Sequence, residues 1–198
     1  MKKITTTKLT QTAILLAVLL IMSFTPLGYL KTVGLEVSLL SIPVAIGAML
    51  VGPGAGLILG AAFGLTSFYQ CFGMSLFGAA LLNINPFYTF VVCVPTRMLM
   101  GYLTGVIFKW LFKVDKKKTL CYFAGGLLAA LLNTVLFVGV LLVFFWNTDY
   151  IQSFNATGAN VIVFFGLFVG IQGVVEALVT CAAGGGVSKA VAKVVHNV

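Results

Sequence analysis

Acidic side chains and histidine are scarce: the 198-residue chain holds four Asp and Glu residues and one histidine, His196. The acids, Glu36, Asp115, Asp149 and Glu176, are far apart in sequence, which argues against an aspartate cluster around a catalytic metal pair. Cys71, Cys93, Cys121 and Cys181 include no C-x-x-C pair, so a structural metal site is not expected either. They read as small apolar filler. The run GGGVSKA, Gly184 to Ala190, lacks the Gly-Lys-Ser/Thr order of a phosphate loop and follows an apolar helix rather than a strand. No nucleotide engine, cofactor or enzymatic chemistry is expected. Charge as a whole is thin: 8% of residues are charged and 61% are hydrophobic, where a soluble domain carries about 25% charged residues. The bilayer is therefore the solvent this chain is built for. The formal charge of +8 does not point to nucleic acid, because the lysines sit between hydrophobic runs, where they orient spans.

A helical span needs about 20 apolar residues. Six runs qualify, at Leu9–Leu27, Val37–Val51, Gly54–Phe72, Pro86–Phe112, Leu120–Trp146 and Ala159–Val187. The second is short and contains Pro43, so a kink or an incomplete crossing is expected there. GPGAG, Gly52 to Gly56, makes a tight turn between the second and third. No A-x-A-like cleavage site follows MSFTPLG, which predicts a retained first span. With six spans, one side collects Lys2, Lys3, Lys8, Lys109, Lys113, Lys116, Lys117, Lys118, Lys189 and Lys193, ten of the twelve basic residues. The positive-inside rule makes that side cytoplasmic. The expected fold is all-α: residues 1–198 as one integral membrane bundle of six transmembrane helices, both termini cytoplasmic. The NAT triplet at Asn155 reads as a chance match to a glycosylation acceptor.

Two opposite charges fall inside spans. Arg97 lies 12 residues before Lys109, and Glu176 13 residues before Lys189. At ~1.5 Å per residue both sit roughly 18–20 Å from the same boundary. Each alone costs about 3 kcal/mol or more to insert. Three readings follow: a structural salt bridge between spans four and six, an Arg97 that holds a substrate carboxylate or phosphate, alone or with Glu176, or a proton-relay Glu176. Gly56, Gly60 and Gly64 make one small-residue face on span three, echoed by Gly101–Gly105 and Gly166–Gly170. Such faces admit close backbone contact within the chain. Ala13 and Ala17 form a similar face on span one, the best candidate groove for another membrane subunit.

Polar groups collect towards the outer ends. Thr66, Tyr69 and Gln70 close span three, Asn83, Asn85 and Tyr88 surround the start of span four, Trp146 ends span five, and Asn160 opens span six. Gln172 lies one turn outward of Glu176, and Asn133 lies at intermediate depth on span five. Amides and phenols with a flat indole wall suit a small polar organic ligand. Tyr88 and Trp146 also fit an interfacial aromatic belt, and Asn83 a helix cap. Asn133 and Gln172 fall within expected spans, where a buried amide needs partners.

IPVAIGAMLVGPGAGLILGAAFGLTSF, Ile42 to Phe68, resembles the second and third helices of the substrate-binding S components of energy-coupling factor (ECF) transporters. PTRMLMGYLTG, Pro95 to Gly105, resembles the fourth helix of the pantothenate-type branch. The resemblance implies a membrane subunit that captures a vitamin or related micronutrient at its outer side. It implies a partner set of one transmembrane T component and two ATPase subunits, with Ala13 and Ala17 against the T component. The loop after span one would cover the site, and the outer ends of spans four to six would line it. Pantothenate is the first expectation, with a queuosine precursor, riboflavin or another vitamin as alternatives. The rival class is a self-sufficient ion-coupled carrier of a small polar organic solute, in which Glu176 takes up a proton or cation in each cycle. A membrane enzyme is the third class, weakened by the dispersed acids.

Overall fold

The computed structural model describes residues 6–26, 28–31, 36–115, 118–154 and 173–196. In chain order it contains α1 (Thr6–Ser23), a hairpin of β1 (Tyr29–Lys31) and β2 (Glu36–Ser38), α2 (Ser41–Leu50), α3 (Pro53–Gln70), α4 (Leu76–Ile84), α5 (Pro86–Val114), α6 (Leu120–Phe145) and α7 (Asp149–Phe154). The last described stretch is α8, residues 173–179, which runs through a π-helical turn, Thr180–Gly184, into α9 (Gly185–His196). Among the described residues four helical runs are long and apolar enough to cross a membrane: Thr6–Ser23, Pro86–Val114, Leu120–Phe145 and Gly173–Lys193.

The second expected span takes a different form. Its helix is confined to Ser41–Leu50, which rises only about 15 Å. Eight of its ten residues are buried. A helix that is apolar all round belongs either to lipid or to a protein core, and this one lies in the core. The all-α expectation is also modified at Tyr29–Ser38, where Tyr29 pairs with Ser38, Leu30 with Val37 and Lys31 with Glu36 in an antiparallel ladder.

Local chemistry sets the helix starts. Asn85 accepts from the amides of Phe87 and Tyr88 at 3.1 and 3.2 Å, with Pro86 at the first helical position of α5. The Ser75 hydroxyl accepts from Gly78 N at 3.2 Å to open α4. Asp115 Oδ2 accepts from Thr119 N and Cys121 N, each at 2.9 Å, at the start of α6. Gly52, with φ of +123°, makes the turn from α2 into α3, a conformation that side chains with a Cβ resist.

The most extensive helix pairing joins α3 to α5. Gly56 meets the Gly101 carbonyl, Gly60 meets the Arg97 carbonyl, and Gly64 faces the Val94 backbone. The small-residue face on α3 thus packs within the chain, and Gly101 belongs to the same seam. Gly166 and Gly170 lie outside the described residues. The main core gathers Leu19, Val44, Leu59, Phe63, Met100 and Tyr122 from five helices. A second cluster under α7 holds Phe77, Val92, Leu141, Phe145 and Ile151. Large apolar side chains cover the outside, among them Ile21, Trp110, Val143 and Leu178. That surface suits acyl chains rather than water.

Candidate functional site

Pro95 sits inside α5, and its missing N–H breaks one rung of the ladder just before Arg97. Arg97 folds back along this turn. Its Nη1 donates to Val92 O at 3.0 Å, to Cys93 O at 3.3 Å and to Thr96 Oγ1 at 3.4 Å. The guanidinium carbon lies 4.5 Å from the Phe137 ring centre and 5.0 Å from that of Phe63. Arg97 is 6% exposed, and its Nε is buried with no hydrogen-bond partner.

The ion pair expected between Arg97 and Glu176 is not formed. The two share a cavity, but no nitrogen of Arg97 lies within 4.0 Å of a Glu176 oxygen. Glu176 Oε1 instead accepts from Asn133 Nδ2 at 2.9 Å, joining α8 to α6. Equal depth brought the charges to one chamber, but depth says nothing of rotation about the helix axes. The rotational position of each side chain about its helix axis decided the partners.

The cavity measures about 120 Å³, several times the ~10–15 Å³ that one water requires. Its walls come from α3, α4, α5, α6 and α8, and the hairpin contributes Tyr29 and Ser38. These two residues are cross-strand partners, so the hairpin register delivers them to the cavity together. Tyr29 Oη and Ser38 Oγ are both buried without a hydrogen-bond partner. Burial pushes the Tyr29 phenol up to about 12, which keeps it protonated and able to donate. Among the described residues four buried side-chain polar atoms lack partners, and three of them, Arg97 Nε, Tyr29 Oη and Ser38 Oγ, belong to residues lining this cavity.

Of the residues the sequence singled out, Arg97, Glu176, Asn133 and Gln70 line the cavity. Gln70 also donates through Nε2 to Ser23 O at 2.9 Å, tying α3 to α1. Asn83, Asn85, Tyr88 and Trp146 do not line it. Asn83 is exposed on α4, and Asn85, rather than Asn83, is the cap. Tyr88 stacks on Phe144 with ring centres 4.6 Å apart, as an outward-facing aromatic does. Trp146 packs against the second core cluster. Thr66 bonds back to Phe63 O at 2.9 Å, and Tyr69 packs edge-on to Phe24. Gln172 and Asn160 lie outside the described residues.

Several lining residues escaped sequence reasoning: Tyr29, Ser38, Ser67, Cys71, Ser75, Cys93 and Phe137. Phe137 follows Asn133 by one helical turn, a spacing that could have found it. Cys71 and Cys93 read as filler, and nothing in their spacing separates them from Cys121, which belongs to the main core.

A family model described as the substrate-specific component of ECF transporters matches residues 7–183. A protein named pantothenate transporter PanT, from Leuconostoc mesenteroides, is 34% identical over 132 residues. The match covers 63% of this chain and 62% of that protein's length.

Proposed function

The chain belongs to the family of ECF transporter substrate-specific components, and we propose that it captures pantothenate for an ATP-driven importer. Members of this family are binding components of a transporter and not enzymes. The observation that carries the reading is one cavity lined by three residues that each hold an orphaned buried polar atom, Arg97 Nε, Tyr29 Oη and Ser38 Oγ. Leaving a buried polar group unpaired costs about 1–3 kcal/mol, more for a charged one. A ligand carrying one carboxylate and several hydroxyl or amide groups recovers that cost. Pantothenate has this composition, and its carboxylate suits an arginine that makes no direct ion pair among the described residues. The Asn133–Glu176 pair supplies an acceptor for a ligand hydroxyl or N–H. Gln70 adds an amide.

In this reading residues 1–198 form a single domain embedded in a bacterial cell membrane by several helices, with both termini inside. The chain hands its ligand to a T component driven by two ATPase subunits. Ala13 and Ala17 are exposed on α1, whose apolar window is only 11% buried. Its inward face is taken by Leu15, Leu16 and Leu19 against the core, so the alanine face is open to a neighbouring helix. Ala13→Leu with Ala17→Leu is expected to abolish uptake in cells while pantothenate binding by the purified chain is unchanged. Loss of both together would place the alanines in folding instead.

The direct test is calorimetric titration of the purified chain with pantothenate. One-to-one binding without ATP hydrolysis is expected. Tight binding of a different vitamin, with none of pantothenate, would retain the family reading and overturn the substrate. Cysteine labelling gives an independent check. Pantothenate at ten times its Kd should slow modification of Cys71 and Cys93 by a small methanethiosulfonate about tenfold, because only the free protein reacts. Cys121, which does not line the cavity, should label at an unchanged rate. Equal rates with and without ligand at all positions would place the ligand elsewhere.

A further inference from the structure

Near the C-terminal end of α5 lies a second cavity of about 440 Å³, sharing no described lining residue with the first. Its walls are mostly apolar, with Met49 from α2, Phe108 and Phe112 from α5, and Val191 from α9. Lys109 and Lys113, one helical turn apart and both exposed, stand at its rim. Lys118 adds a third cation, its Nζ 5.0 Å from the Phe112 ring centre. Among the described residues no acidic side chain lines the cavity. Asp115, the nearest acid in sequence, directs Oδ2 to the amides of Thr119 and Cys121.

We propose that this groove is a binding site for an anionic phospholipid, its phosphate between Lys109 and Lys113 and an acyl chain along Met49, Phe108 and Phe112. The charge pattern sets the sign of the occupant, since two lysines meet no carboxylate within 4.0 Å among the described residues. The walls set its other half. A free phosphate or a glycerol phosphate would leave the aromatic lining wet, whereas an acyl chain removes that surface from water. Basic pockets between helices at a membrane boundary hold anionic head groups for the same reason. The site does not depend on which vitamin the chain carries.

The test uses the purified full chain in mixed micelles. Phosphatidylglycerol is expected to raise Tm by about 4 °C or more over phosphatidylcholine at equal content. Lys109→Gln with Lys113→Gln should abolish the difference while leaving Tm in phosphatidylcholine and vitamin affinity unchanged. The double arginine variant should retain it. Native mass spectrometry of the wild type should find phosphatidylglycerol held after delipidation, which keeps the proposal testable if the glutamine variant fails to fold. Equal stabilisation by both lipids, or its reproduction by glycerol 3-phosphate alone, overturns the proposal. So does an undiminished lipid effect in the glutamine variant, and loss of partner-subunit assembly in that variant with an unchanged lipid effect would assign the groove to a protein.

Discussion

Replacing Arg97 by methionine should weaken pantothenate binding by about 10²- to 10³-fold, because the ligand carboxylate is left buried without its cation. The bundle should stay folded. Among the described residues no carboxylate lies within 4.0 Å of Arg97, and Glu176 keeps its bond from Asn133 when Arg97 is removed. Its Nη1 contacts go to the carbonyls of Val92 and Cys93, both within its own helix, where the backbone ladder supplies other partners. Methionine keeps much of the volume against Phe63 and Phe137, so the cavity cost of a shorter side chain is limited. An ion pair with Glu176 would give the opposite pattern, a loss of about 3–5 kcal/mol of stability on breaking it. Arg97→Lys keeps the charge but loses the planar fork and should fall between wild type and methionine. A ligand analogue with an alcohol in place of the carboxylate sharpens the measurement. Wild type should discriminate against it strongly and the methionine variant hardly at all. Should the methionine variant bind pantothenate within about threefold of wild type, roughly 0.7 kcal/mol, Arg97 does not hold the carboxylate.

The second large effect is structural. Gly60→Val should unfold the chain in detergent or lower its Tm by tens of degrees, and Gly60→Ala should cost about 1–3 kcal/mol. A Cβ at Gly60 would overlap the Arg97 carbonyl, and one at Gly64 would lie 2.6 Å from Val94 Cα. The obstacle in both cases is backbone, which cannot swing aside as a side chain can. Lipid supplies no hydrophobic force to hold α3 on α5, so close packing carries the association. Because the blocked atom belongs to Arg97 itself, whatever Gly60→Ala protein folds should also bind ligand more weakly. Gly139, on α6, has nothing within 4 Å of its would-be Cβ. Gly139→Ala should therefore be neutral or stabilising by up to about 1 kcal/mol. Thermal melts of the three variants side by side decide the matter. A Gly60→Val protein that melts like wild type would mean that the α3–α5 seam is not packed as described.

The glycine seam was legible because spacing by four residues fixes a helix face without knowledge of the partner. Arg97 and Glu176 were legible because a charge in an apolar run needs a reason wherever it lies. Asn133 was flagged for the same cause, and its bond to Glu176 supplies the reason. The hairpin was not legible. Each strand is three residues long, too short for alternation to register against the surrounding apolar sequence. Tyr29 and Ser38 were missed with it. Asn85 and Tyr88 do not line the cavity, and the sequence could not separate them because cap, interfacial aromatic and ligand contact draw on the same residue types. Only the direction of the side chain separates those uses.

The sequence by itself determined that this is a membrane chain and that two charges and a row of glycines spaced by four fall within its apolar runs. These follow from composition and from the fixed rise of a helix, which convert residue number into distance along one axis. The tertiary structure decided that α2 is a core helix, that Arg97 turns to its own carbonyls while Glu176 turns to Asn133, and that the hairpin brings Tyr29 and Ser38 over the cavity. Those outcomes depend on rotation about helix axes and on contacts between segments distant in sequence, and depth along a single helix carries no information about either.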